Sequence, residues 1–126
     1  MEPKHKIYIV EDDPDLQHLL QFSLAKAGYH VTIFPTGYPV IAMTDQWPDL
    51  FVIDIELPGI NGLEICRWLR DHDASKYIPI LFLSAAPYLK NLAHNVGGDD
   101  YLEKPFELAV LIEKIDNCTH SDAISA

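Results

Sequence analysis

The chain lacks the features that mark special environments or the commonest cofactor sites. It has only two cysteines, Cys66 and Cys118, far apart and in no CxxC or Cys/His spacing. That excludes a disulfide framework and a structural zinc site, and it fits a reducing cytoplasm. Basic residues are scarce. Nine Lys and Arg stand against nineteen Asp and Glu, a formal net charge of -10. A surface of that sign repels a phosphodiester backbone, so no direct nucleic-acid ligand is expected. No apolar stretch approaches the ~18 residues a bilayer requires. The opening Met1-Glu2-Pro3-Lys4-His5-Lys6 leads only into a short apolar run, so neither a signal peptide nor a membrane span is expected. There is no internal repeat, low-complexity segment or linker.

What is present describes one soluble globular domain. The length of 126 residues falls within the range of roughly 100–200 residues for one domain. A chain of this size buries about two-thirds of its unfolded surface without needing a metal or disulfide. Apolar runs are short and nearly continuous: Ile7–Val10, Val31–Phe34, Leu50–Ile53, Ile78–Leu83 and a weaker Tyr101–Leu102. Strands that are apolar at every position are covered on both faces, as in parallel sheets flanked by helices. Between the runs the period becomes helical. Leu16, Leu20, Leu24 and Ala27 share one helix face, with Asp13 as N-cap, Pro14 at the first position and Gly28 as the stop. A poorly defined helix is expected over Val40–Trp47, a third over Leu63–His72 after the Asn61-Gly62 turn, a fourth over Leu89–Val96 and a fifth from Leu108 through Ile115. Residues after Cys118 read as a short polar tail that frays. Alternating strands and helices predict an α/β, doubly wound parallel sheet with helices on both faces.

In such sheets a site lies beyond the C-terminal ends of the strands. Polar residues follow the apolar runs directly: Glu11-Asp12-Asp13 after the first, Asp54 after the third, Ser84 after the fourth, and Lys104-Pro105 past Glu103 after the fifth. Clustered carboxylates raise one another's pKa unless a cation sits among them. An all-oxygen donor set, without His or Cys, suits a hard divalent ion such as Mg2+. A carboxylate in that setting can act as a nucleophile toward phosphorus. Lys104 would supply fixed positive charge and Ser84 a hydroxyl donor for the transferred group.

The stretches Val10-Glu11-Asp12-Asp13, Asp54 through Gly62, Leu83-Ser84-Ala85 and Gly98 through Phe106 together resemble the receiver domain of the two-component response regulators. The resemblance covers residues 5–117, which leaves 118–126 as the polar tail. It implies a flavodoxin-like fold with strand order 2-1-3-4-5. It implies that Asp54 is the phosphoacceptor, that Glu11, Asp12, Asp54 and the backbone carbonyl of Glu56 hold Mg2+, and that Ser84 and Lys104 contact the phosphoryl group. Tyr101 matches the switch aromatic, and the Lys104–Pro105 bond is expected to be cis. The implied function is a phosphoacceptor switch in a phosphorelay, and not a turnover enzyme. A sensor histidine kinase or a histidine phosphotransfer protein would be the donor. A downstream protein would be met through the face of the fourth helix, fifth strand and fifth helix, and a homodimer is compatible with it. Location is expected to be cytoplasmic.

The sequence departs from the family pattern in small ways. The acidic pair is Glu-Asp, the hydroxyl residue is Ser, and Glu56 is acidic at a position that in the family tunes loss of the phosphoryl group by hydrolysis, so an effect on that rate is expected. The segment from Ser84 to Lys104 is about two residues short, with the deletion expected near Ala86-Pro87. No output domain follows in the sequence, so action through protein contact, or origin as a fragment, is expected. The rival reading is a Mg2+-dependent phosphatase with an aspartyl nucleophile. It needs a second acid–base aspartate where Glu56 stands, and a substrate cap for which 126 residues leave no room. A flavin-binding protein fits poorly, because the loop after the first run is acidic where a phosphate must be cradled. A scaffold that never takes phosphate would not need the intact set. The six histidines have no ligand spacing and read as surface residues; Cys66 reads as a packing residue, and Trp47 and Trp68 as packing or partner surface.

Overall fold

Alternate residues of each central strand feed one of two apolar layers, which is what fixes the sheet between helices. In a computed structural model, which describes residues 4–125, with side chains described through His120, the strands are β1 (Lys6–Val10), β2 (His30–Phe34), β3 (Leu50–Asp54), β4 (Ile80–Ser84) and β5 (Asp100–Glu103). All pair in parallel, in the order β2-β1-β3-β4-β5, as the resemblance implied. The helices are α1 (Pro14–Lys26), α2 (Tyr38–Ile41), α3 (Gly62–Arg70), α4 (Lys90–Asn95) and α5 (Leu108–Ser125).

Ile7, Ile9, Val52, Leu81 and Leu83 pack with Leu20 and Leu24 of α1 and Leu111 and Ile115 of α5. On the opposite face Tyr8, Val10, Phe51, Ile53 and Phe82 pack with Val40 of α2, Ile65, Cys66 and Leu69 of α3, and Ala93 of α4. The expectation of strands buried on both faces holds for β3 and β4, whose residues are buried throughout. It fails for β2, an edge strand that is half exposed.

The helix ends follow the local chemistry. Asp13 caps α1, its side chain accepting from the Asp15 amide. Gly28, at φ 100°, reverses the chain behind α1, and the Tyr29 amide donates to the Leu24 carbonyl. Asn61 and Glu64 form a reciprocal capping box on α3.

Three elements differ from expectation. The second helix is a single turn, Tyr38–Ile41, rather than Val40–Trp47. The helix is capped at Ala42; beyond it Gln46 adopts a positive φ of 57°, its carbonyl accepts from the Tyr8 hydroxyl at 2.6 Å, and Trp47 packs against the core. The fourth helix is shorter, preceded by a 3-10 turn at Pro87–Leu89 in the segment expected to carry the deletion. The tail expected after Cys118 instead continues α5 to Ser125. Met1–Pro3, part of the expectation of no leader, and Ala126 of the tail lie outside the described residues. Among the described residues no helix is long and apolar enough to cross a membrane.

Candidate functional site

The C-terminal ends of β1, β3, β4 and β5 converge on one edge of the sheet, and the residues singled out from the sequence meet there. Glu11, directly after β1, is fully buried. Asp54, the last residue of β3, is 3% exposed. Lys104 Nζ donates to Glu11 Oε1 at 2.8 Å and to Asp54 Oδ2 at 3.0 Å. A backbone bond from the Lys104 amide to the Ser84 carbonyl, 2.8 Å, fixes the root of that lysine against β4. The Lys104–Pro105 bond is cis. The loop after β1 is held from below: Asp13 N–H donates to Glu11 Oε2 at 3.0 Å and Gln17 Nε2 to the Glu11 carbonyl.

The electrostatics follow from this geometry. Burial, opposed by the Lys104 hydrogen bond and reinforced by the Glu11 charge, pushes Asp54 from 3.8 up to about 6. Burial also presses Lys104 down, but its bonds to Glu11 and Asp54 outweigh that and hold it above its ordinary value. Glu11, exposed Asp12 and Asp54 each offer an oxygen within 4.8 Å of the others, the only such group of three among the described residues. Three carboxylates against one ammonium leave two negative charges in a largely buried pocket. That excess, with oxygen-only donors, fits a hard divalent cation. Asp13 stands outside this group as the α1 cap.

Two contributions are not legible in the sequence. Glu56, expected to act through its backbone carbonyl and on hydrolysis, also places its side chain across to β4. Its Oε2 accepts from Ser84 Oγ at 2.7 Å and its Oε1 from Ala85 N–H at 2.8 Å. Its own amide donates to Asp54 Oδ1 at 3.1 Å. An acidic residue two past a strand-end aspartate is visible in the sequence, but its partner on the neighbouring strand is not. Gly62, read as part of a turn, runs so close to the β3 end that an added Cβ would stand 2.5 Å from the Asp54 carbonyl oxygen. No signal in the sequence marks that approach.

From Ser84 a polar chain leads outward. The Ala86 amide donates to Ser84 Oγ at 3.0 Å, and the half-buried Tyr101 hydroxyl donates to the Ala86 carbonyl at 2.6 Å. Tyr101 packs against the core on one side. On the other it borders a cavity of about 240 Å³ shared with Lys90, Ala93 and His94 of α4. Other expectations resolve plainly. Cys66 is buried among α3 packing residues, and burial pushes its thiol up to about 11. Trp47 and Trp68 pack on the same cluster, and His72 stacks on Trp68.

The family described as Response regulator receiver domain matches residues 7–116. A curated relative, the "Uncharacterized transcriptional regulatory protein YrkP" of Bacillus subtilis, is 39% identical over 104 residues, 81% of this chain and 44% of its own. The chain spans about half the length of the curated relatives it matches. Among solved structures, a "putative response regulator" from Chloroflexus aurantiacus superposes with a TM-score of 0.87 at 32% identity, covering 93% of this chain and 98% of that one. The response regulator protein TrrA of Thermotoga maritima, solved in complex with Mg(2+)-BeF, gives a TM-score of 0.81 at 29% identity over 90% of this chain and 98% of that one. With nearly its whole length matched, the chain belongs to the response regulator receiver domain family.

Proposed function

We propose that the strand-end cluster accepts a phosphoryl group on Asp54 and converts its arrival into a change of the α4–β5–α5 face. The observation that carries this reading is the ammonium of Lys104 bridging Glu11 and Asp54 beside Asp12. The donor would be a phosphohistidine on a sensor histidine kinase or a histidine phosphotransfer protein. An Asp54 oxygen attacks phosphorus as the phosphorus–nitrogen bond breaks, and the released imidazole takes a proton. The deprotonated carboxylate is the reactive form, and Lys104 favours it by donating to Oδ2. The same ammonium then stands beside the acyl phosphate and balances part of its charge.

Glu11, Asp12, Asp54 and the Glu56 carbonyl would hold Mg2+, which supplies charge neutralisation for the incoming phosphoryl oxygens. Burial of Glu11 and Asp54 keeps bulk water from competing with these contacts. Ser84 and Tyr101 would carry the switch, since the Ser84–Ala86–Tyr101 chain links the site to the α4 side of the sheet. Phosphate acts there by favouring one of two accessible arrangements.

Self-phosphorylation rather than turnover is favoured by Glu56. The phosphatase reading needs a second acid–base aspartate at that position, where this chain has glutamate. The acidic surface, at a net charge of -10, points to protein rather than nucleic-acid contact by this part of the protein, and the free cysteines Cys66 and Cys118 fit a cytoplasmic setting. Incubation with acetyl phosphate and Mg2+ followed by intact mass tests the reading. One phosphoryl is expected on the wild type and none on Asp54→Ala. A modification that survives Asp54→Ala would move the acceptor elsewhere.

A further inference from the structure

The receiving end of this site is already filled by an anion belonging to the chain. Ser84 O–H and Ala85 N–H lie on consecutive residues at the end of β4, the strand that pairs with β3 beside Asp54. Two donors converging on one point are a binding pair for an oxyanion. Both are directed at the Glu56 carboxylate, one to each oxygen, at 2.7 and 2.8 Å. Glu56 is anchored for this by its own backbone, whose amide donates to Asp54 Oδ1. Its side chain is otherwise exposed, so the hydrogen bonds rather than packing hold it across the gap.

We infer that the Glu56 side chain is an internal competitor of the phosphoryl group, occupying the Ser84 and Ala85 donors until an anion on Asp54 displaces it. The inference rests on Asp54 being the phosphoacceptor, and it names Glu56 as a positioning residue that sets how readily the site accepts its ligand. Displacement has a structural consequence. Ser84 Oγ gives up Glu56 and turns toward the new anion. The Ala86 amide, which donates to that same oxygen, and the Ala86 carbonyl, which accepts from Tyr101, are drawn along. Glu56 is therefore both the brake on phosphorylation and the group whose release starts the movement toward α4.

The size of the effect follows from the two hydrogen bonds that must be exchanged. A hydrogen bond to a charged group of ordinary strength commands at least a tenfold ratio. An exposed carboxylate sits at the low end of that range, so removing Glu56 should tighten anion binding about tenfold. Two variants separate charge from hydrogen bonding. Glu56→Ala empties both donors. Glu56→Gln keeps one acceptor oxygen without the charge and should fall between Glu56→Ala and wild type.

The test is titration of the full chain with beryllofluoride at saturating Mg2+, followed by amide NMR, alongside the rate of phosphorylation by acetyl phosphate. In that reaction the Asp54 oxygen–phosphorus bond forms as the acetyl oxygen–phosphorus bond breaks and acetate leaves. Glu56→Ala should bind beryllofluoride about tenfold tighter and acquire the phosphoryl group faster. The Ala85 amide proton of the unliganded protein should move upfield once the carboxylate is gone, a signature that a purely structural role would not produce. In a Ser84→Ala background the gain from Glu56→Ala should shrink, because one of the two contested donors is missing.

Equal or weaker beryllofluoride binding by Glu56→Ala, with wild type binding normally, overturns the inference and leaves Asp54 as acceptor. An undiminished gain in the Ser84→Ala background also overturns it. Failure of every protein, wild type included, to take beryllofluoride or a phosphoryl group removes the phosphoacceptor reading, and the inference with it.

Discussion

Replacing Asp54 by asparagine should stabilise the protein in the absence of divalent cation, by an amount that depends on pH. Asp54 is buried, and its acidity is displaced from 3.8 to about 6 by burial and by the Glu11 charge, against the pull of Lys104. The folded state thus holds the proton more tightly than the unfolded chain does. Between pH ~4 and ~6 the native protein binds more protons than the unfolded chain, so stability falls as pH rises through that window and levels off above it. A rise from 3.8 to about 6 corresponds to roughly 3 kcal/mol. Asparagine resembles the protonated acid and does not titrate. Asp54→Asn should therefore be more stable than wild type by about 3 kcal/mol at pH 7.5 and about 1 kcal/mol at pH 4.5.

Urea unfolding in EDTA at both values measures it. With a slope near 2 kcal/mol per molar, the midpoint should rise by about 1.5 M at pH 7.5. Saturating Mg2+ should recover stability for wild type, about 2.7 kcal/mol at a hundredfold excess over Kd. An asparagine variant no more stable than wild type at pH 7.5, or one whose advantage is the same at both values, would refute the reasoning.

Other perturbations test the supports of the site. Lys104→Met leaves Glu11 and Asp54 without their shared cation. It should cost about 3 kcal/mol in EDTA, the low end for a broken buried pair because Asp54 can take up a proton; urea unfolding with and without Mg2+ checks it, and no loss would refute it. Gly62→Ala pushes a methyl group into the Asp54 carbonyl. It should cost about 1–3 kcal/mol as an overpacked contact and slow phosphorylation by acetyl phosphate. Arg70 donates to the carbonyls of Gly97, Lys76 and Ile78 and to Asp99, tying α3 to the segments that enter β4 and β5. Arg70→Ala should lower stability by about 2–3 kcal/mol, and Arg70→Lys should recover little of it because the planar fork is lost; full recovery by lysine in thermal melts would contradict this.

The sheet and the position of the site are legible in the sequence because their causes are local. Continuous apolar runs such as Leu50–Ile53 have only one common use, and the residue after each run is bound to stand at the strand end, as Asp54 and Ser84 do. The cap at Asp13 and the stop at Gly28 are equally readable. What is not legible depends on partners distant in sequence. Val40–Trp47 reads as a poorly defined helix, but the helix ends at Ile41 and the Gln46 carbonyl beyond it is taken by Tyr8 of β1, a partner distant in sequence. Arg70 binds backbone carbonyls, which every residue possesses, so no pattern announces them. The family resemblance implies the Glu56 carbonyl as a metal ligand, but says nothing of a carboxylate that reaches a serine on the next strand. Residues beyond Cys118 are polar, yet they continue the α5 helix that Leu111 and Ile115 anchor to the core.

The most direct measurement reduces the acetyl-phosphate-treated protein with borohydride, which converts an aspartyl phosphate to homoserine, and maps the product by peptide mass. Homoserine at position 54, dependent on Mg2+ and diminished by Lys104→Met, is the expected result. Homoserine at another acidic position, or none while wild type gains a phosphoryl mass, would contradict Asp54 as the group made reactive toward phosphorus.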